Sequence, residues 1–421
     1  MLTLRHARQF ADRLGPGLIT GAADDDPSGL ATYSQAGAQF GAGLLWSLAF
    51  TLPLMIAVQM VSARIGWLTG RGLAANIVRV LPRWLALCLV ALLVLANTLN
   101  IGADIAAMGE ALQLIVGGPP HGHALIFGLL CAALPVVLNY ETMVRVLKWL
   151  TLALLSYVGV VFALHVNWGQ VLARTLIPSL AGGTGYWTMV VAVLGTTISP
   201  YLFFWQAAQE SEQRQRFKHA AAALTESPAF AREHLYRIKL DTVIGMLFSN
   251  LIAFCVMLAT AITLNGNGIT DIQTTRDAAQ ALRPIAGEFA FVLFALGVIG
   301  TGMLAVPVLA GSAAYAVADV FEWRSGLDHS MGEAKGFYGV LVAATLIGTG
   351  VDFTPLDPIK ALLWSAVANG VVAVPIMGAM MLIGSHRGIL GEHTLTARHR
   401  VLGWFATVVM GAAVVAMLLA P

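Results

Sequence analysis

Apolar residues in this chain come in long unbroken runs, without the period-2 alternation of a half-buried strand or the single stripe of a surface helix. Windows of roughly 20 such residues recur near residues 15–38, 42–63, 84–116, 122–140, 147–166, 185–208, 240–264, 287–321, 336–351, 358–384 and 401–420. They predict about eleven membrane-spanning helices with short connections. Two runs are interrupted. In the first, Asp24, Asp25 and Asp26 are followed by Pro27-Ser28-Gly29. A carboxylate near the bilayer centre costs roughly 2.5–3.5 kcal/mol on insertion scales, so these groups require a cavity, a partner or a cation. Proline removes a backbone donor, and the carbonyls it frees must face water, protein or an ion. The sixth run carries Pro200 near its middle, beside the small polar residues Thr196, Thr197 and Ser199. Paired interruptions in two halves of a polytopic protein point to inverted repeats and to a site between the breaks at the membrane midplane. The first break, being acidic, points to a cation.

Composition agrees with the pattern: 58% of residues are hydrophobic and 11% charged, against about 25% charged in soluble domains. No segment has the makings of a soluble domain, so residues 1–421 form one transmembrane unit in contact with the lipid bilayer. Of the 24 Lys and Arg residues, only Arg174, Arg276, Arg283 and Lys360 fall on one side of the predicted spans. The rest lie on the other, which the positive-inside rule makes cytoplasmic. The expected location is the inner (plasma) membrane, multi-pass, with a cytoplasmic N-terminus. The segment holding Arg5, Arg8 and Arg13 runs into Gly, Pro and Asp and does not form a cleavable signal. A net charge of +2 gives no reason to invoke nucleic acid, and no obligate protein partner is indicated. Cys88, Cys131 and Cys255 are far apart in apolar runs and read as packing residues. The histidines read as loop or terminal residues, apart from His165 at the end of a span.

At the breaks the sequence resembles a known family. Gly15-Pro-Gly-Leu-Ile-Thr-Gly21 followed by Asp26-Pro27-Ser28-Gly29 is similar to the first-span signature of the Nramp divalent-metal transporters, which ends Asp-Pro-Gly-Asn. Gly195-Thr-Thr-Ile-Ser-Pro-Tyr201 is similar to their sixth-span Ala-x-x-Met-Pro-His. The resemblance implies an all-α, LeuT-like fold with broken helices 1 and 6. It also implies inverted repeats of five spans, approximately 14–166 and 185–384, with an extra span at 401–420. It assigns Asp26, Gly29, Thr196 and Ser199 to the metal positions. Gly29 stands for the family Asn, Ser199 for the Met and Tyr201 for the His. A thioether favours transition metals, whereas carboxylate, carbonyl, hydroxyl and water suit Mg²⁺, Ca²⁺ and Mn²⁺. Mg²⁺ usually keeps several waters and touches one or two carboxylates. The pattern therefore resembles the Nramp-related magnesium transporters. The expectation is Mg²⁺ or Mn²⁺ as transported substrate, no cofactor, and no strong proton coupling.

Further residues are candidates for a surrounding shell or pathway: Asp24, Asp25, Ser28, Thr197, Tyr201, Gln206, Asn369 and Asp104. Successive helical residues are about 100° apart, so the three aspartates cannot share one face; one of Asp24 and Asp25 is expected in an aqueous vestibule or against polar atoms. Asn369 reads first as helix-packing polarity, Glu210 as a pathway or interfacial carboxylate, and Asp241 and Asp319 as solvated groups near the membrane boundary. Residues 211–239 read as an amphipathic surface segment. Four alternatives remain distinct: a proton-coupled Mn²⁺/Fe²⁺ transporter, a Mg²⁺-dependent intramembrane prenyl transferase, a Na⁺-coupled amino acid symporter and a channel. The enzyme would need a second aspartate cluster and phosphate-binding cations in the membrane, the symporter's carboxylate substrate would be repelled by three aspartates, and two broken helices argue against a channel.

Overall fold

The computed structural model describes residues 16–137, 152–180, 182–220, 228–355 and 357–420, and among these there is no strand. Eight stretches are long and apolar enough to cross a membrane, and Lys335–Val351 is a shorter apolar helix. In chain order the helices used below are α1 (Pro16–Asp24), α2 (Pro27–Phe40), α3 (Leu45–Thr69), α4 (Leu73–Val80), α5 (Arg83–Val116), α6 (Pro120–Val137), α7 (Leu155–Ala163), α8 (Trp168–Leu176), α9 (Thr184–Thr197) and α10 (Pro200–Ala220). They continue with α11 (Pro228–Thr263), α12 (Ala290–Phe321), α13 (Lys335–Val351), α14 (Pro358–Ser385) and α15 (Ala397–Leu419). Every predicted run thus coincides with a helix, the fifth only through its later part because residues 138–151 lie outside the described set. Within the described residues, 211–239 are helical extensions of α10 and α11. His234, expected in a loop, is buried on α11 and stacks on Trp67, ring centroids 3.5 Å apart.

Proline alone does not explain the two breaks. Pro53, Pro135, Pro307 and Pro375 all sit inside continuous helices. Pro27 and Pro200 instead open new ones, where the missing amide costs nothing and the fixed φ suits the first helical residue. The residue before proline is driven towards extended backbone, and Asp26 sits at φ −70°, ψ 169°. Ile198, capping the end of α9, has φ −120°, ψ 60°.

Without a hydrophobic drive between helices in lipid, close packing of small residues holds the bundle together. The broken first span packs on α11, the sixth on α3 and α14, and α5 against α12. At the α9–α14 crossing, a Cβ added to Gly195 would lie 2.1 Å from the Ala366 carbonyl oxygen and 2.4 Å from the Gly370 amide. Both are backbone atoms with no rotamer to change. Gly195→Val should therefore separate the helix that leads into the second break from α14. We expect a loss of roughly 1–3 kcal/mol or more, read as a lower thermal midpoint and reduced monodisperse yield in detergent, against Gly378→Val, whose added Cβ meets nothing within 4 Å.

Candidate metal centre

Asp26 is the N-cap of α2. Its Oδ1 accepts the Gly29 amide at 2.6 Å, so the carboxylate sits at the positive end of that half-helix. Its other oxygen, Oδ2, accepts from Asn100 Nδ2 at 3.0 Å, and the same amide nitrogen reaches Asp104 Oδ2 at 3.0 Å. Asp104 Oδ1 accepts the Ser28 amide at 3.2 Å. Asn369 Nδ2 donates to Asn100 Oδ1 at 3.1 Å, leaving its own Oδ1 buried without a hydrogen-bond partner. Ser28 joins the same group through Ser365, whose Oγ lies 3.3 Å from its own. One network thus links the start of α2 to α5 and α14, and Asn369 is part of it.

The two breaks meet. A Cβ on Gly29 would lie 2.9 Å from Thr196 Oγ1, so the start of α2 touches the end of α9. Tyr201, one residue into α10, donates its hydroxyl to the Ala23 carbonyl at 2.8 Å and so caps one of the free carbonyls ending α1. Ser199 Oγ lies 2.8 Å from the Gly195 carbonyl oxygen and 2.9 Å from that of Thr196. Its proton is used locally, while its lone pairs are not.

The three aspartates divide between two environments. Asp24 and Asp25 are both buried, against a polar atom and not in an aqueous vestibule, the second of the two expected settings: Ser249 Oγ of α11 lies 2.5 Å from Asp24 Oδ2 and 3.3 Å from Asp25 Oδ1. Asp24 Oδ1 and Asp25 Oδ2 have no hydrogen-bond partner. Asp26 faces Asn100 and Asp104 instead. For that reason no three His, Cys, Asp or Glu side chains form a metal-binding group among the described residues. The oxygen set at the breaks is one or two carboxylates with carbonyl, amide and hydroxyl oxygens, a donor set for a hard cation that retains water.

Several candidates lie elsewhere. Thr197 Oγ1 bonds back to the Val193 carbonyl at 2.8 Å, inside α9. Gln206 accepts from Gln59 and donates to Thr242 at 3.0 Å, tying α10 to α3 and α11 rather than lining a path. Glu210 is not interfacial: it is fully buried, and neither of its carboxylate oxygens has a hydrogen-bond partner. Asp241 is also buried, accepting the Gly17 amide at 2.6 Å near the start of α1, and Asp319 accepts the Ala75 amide of α4 at 3.3 Å. Both serve helix N-termini, Asp241 away from solvent and Asp319 while half-buried. Glu110 accepts from Thr275, away from the breaks. Ser249 and the bridging role of Asn100 were missed by sequence reasoning; a Ser-Asn pair inside an otherwise apolar run was the available signal for the former.

Residues 17–420 match the family described as natural resistance-associated macrophage protein-like, Nramp. This chain belongs to the Nramp family. Among curated relatives of this Nramp chain, a protein named divalent metal cation transporter MntH from Caldanaerobacter subterraneus subsp. tengcongensis is 24% identical over 94% of this chain and 90% of its own length. Its namesake from Deinococcus radiodurans is 25% identical over 96% and 89%. Among solved structures, a manganese transporter from Eremococcus coleocola has a TM-score of 0.76 at 17% identity, covering 95% of this chain and 85% of that one. MhsT in complex with L-phenylalanine gives 0.59 at 15% identity, covering 97% and 98%. These likenesses show the fold, which is the LeuT-like arrangement of a multi-pass membrane protein. Nramp proteins are transporters and not enzymes, which removes the prenyl transferase alternative.

Proposed function

We propose that this Nramp chain carries divalent metal cations across the membrane by alternating access, holding the ion where the two broken helices meet. The observation that carries the reading is the junction of Asp26 and Gly29 with Thr196 and Tyr201. The names of its relatives, divalent metal cation and manganese transporters, support the class of cargo. Asp26, the Thr196 carbonyl, Ser199 and the backbone at Gly29 are the proposed ion contacts; Asn100, Asp104, Asn369 and Ser28 hold Asp26 in place. Asp24 and Asp25 form a separate anionic pair behind the break, steadied by Ser249.

For the finer substrate, the proposal is Mg²⁺ together with Mn²⁺. Ser199 and Gly29 remove the thioether and amide side chains of the classical family pattern and leave oxygen donors only. The membrane unit is read as two repeats, near 14–166 and 185–384, plus a last span, in the inner membrane with a cytoplasmic N-terminus. In that orientation a negative interior favours uptake by roughly 2.3 kcal/mol per charge per 100 mV, twice that for a dication.

The classical alternative, proton-coupled Mn²⁺/Fe²⁺ transport, has one observation in its favour: Asp104 lies one amide away from Asp26, so a second carboxylate adjoins the site. Proteoliposome uptake separates the two. With Mg²⁺, Mn²⁺ and Ca²⁺ presented singly and a pH dye in the lumen, the expected result is saturable Mg²⁺ and Mn²⁺ entry that follows the imposed potential without lumenal acidification. Acidification in fixed ratio to Mn²⁺ entry, with no Mg²⁺ entry, would establish the classical reading instead.

A further inference from the structure

A groove of about 310 Å³ runs between α3, α11 and α15, and none of its lining residues belongs to either break. Its floor is apolar, with Ile56, Met60, Val243 and Leu402 among the lining residues, and its rim carries Lys239, Arg398 and His399. Arg64 is close enough for its charge, with those of Lys239 and Arg398, to act on the His399 ring, and its Nε is buried without a hydrogen-bond partner. No carboxylate lines the groove. Among the described residues none of Arg64, Lys239 and Arg398 forms an ion pair. Lys239 and Arg398 are exposed at the rim.

The positive-inside pattern requires basic residues at this end of the bundle, but it does not require basic residues from two helices, far apart in sequence, to converge on one apolar slot. Next to the slot, Val401, Phe405 and Val408 of α15 are more than half exposed, as expected of a surface that faces lipid. A soluble anion would find the charges but leave the floor empty. A neutral lipid would fill the floor and leave the charges unanswered. Basic pockets between membrane helices suit anionic head groups, and only an amphiphile with such a head group satisfies both halves of the groove.

We propose that this groove binds an anionic phospholipid of the basic-side leaflet, its phosphate among Lys239, Arg398 and His399 and an acyl chain along Ile56, Met60 and Leu402. Bound there, it bridges α3, α11 and α15, so it should stabilise the folded protein in proportion to its occupancy. The test uses the full chain in neutral detergent, with native mass spectrometry and thermal unfolding during titration with dioleoyl phosphatidylglycerol or dioleoyl phosphatidylcholine. Phosphatidylglycerol should be retained and raise the thermal midpoint, and phosphatidylcholine should do neither. Lys239→Ala/Arg398→Ala should weaken phosphatidylglycerol retention on the order of 25-fold, about fivefold per basic residue near the membrane surface. Arg276→Ala, at the opposite end of the spans, should leave it unchanged. A severalfold rise in salt should weaken retention by the unaltered protein and much less by the double variant, a readout that does not depend on the variant's stability. Equal effects of the two lipids, full retention by a folded double variant, or an equal midpoint shift from inorganic phosphate alone would each overturn the proposal.

Discussion

Asp26→Ala should reduce metal uptake into proteoliposomes by about 100-fold or more, the equivalent of about 2.7 kcal/mol. Losing one partner of a buried charge pair commonly costs 2–5 kcal/mol or more, and a cation at the breaks has few other full charges to replace it. The same residue caps α2, so the alanine variant also removes a helix cap worth about 1 kcal/mol. Asp26→Asn separates the two roles. Asparagine is as good an N-cap as aspartate, and its side-chain oxygen can still accept the Gly29 amide, but it brings no charge. The expected result is a folded Asn variant that keeps the cap but loses the Asn100 bond to Oδ2, with a midpoint above that of the Ala variant, and that transports as poorly as the Ala variant. If Asp26→Asn transports normally while Asp26→Ala does not, the carboxylate is a structural cap and the ion is held elsewhere. The buried pair Asp24 and Asp25 would then be the next place to look, because each retains an oxygen without a hydrogen-bond partner.

What the sequence made legible was the covalent logic of each segment. Carboxylates followed by proline inside an apolar run point to a break, and Asp26 is readable as the residue that caps the helix after it because it immediately precedes Pro27. Contacts between segments were not readable. Asn100 reaches Asp26 across 74 residues and Ser249 reaches Asp24 across 225, and neither spacing leaves a local signature. Asp241 and Asp319 were placed in solvent because hydropathy windows end near them. For Asp241 the helix does not begin there: α11 starts at Pro228, well before the apolar run, and carries Asp241 to the amide-rich start of α1; Asp319 does sit near the end of α12, but it faces the start of α4. A carboxylate near a predicted boundary can therefore be capping a neighbouring helix, and only the packing of the two helices reveals which. Gln206 shows the same limit. Its position after the second break suggested a pathway, yet both ends of its amide are spent on α3 and α11.

Ser199→Met should reorder the cations. In the unaltered protein Ser199 offers a hydroxyl oxygen whose proton is held by the Gly195 and Thr196 carbonyls, a hard donor that discriminates little between Mg²⁺ and Mn²⁺. A thioether at the same position would favour the softer metals and serve Mg²⁺ poorly. It would also release those two carbonyls from the serine hydroxyl and displace water from around the ion, which Mg²⁺ gives up reluctantly. The ratio of Mn²⁺ to Mg²⁺ uptake, measured in competition, should rise on the order of tenfold, with Cd²⁺ entry rising alongside. Ser199 is buried, so the longer side chain risks overpacking at a cost of about 1–3 kcal/mol. Ser199→Leu, of similar bulk but without sulfur, controls for it: it should lower uptake of all three ions without reordering them. An unchanged ranking in a folded Ser199→Met protein would show that donor softness at this position does not set selectivity. The choice between Mg²⁺ and Mn²⁺ would then fall to the carboxylates and to the water retained between the two breaks.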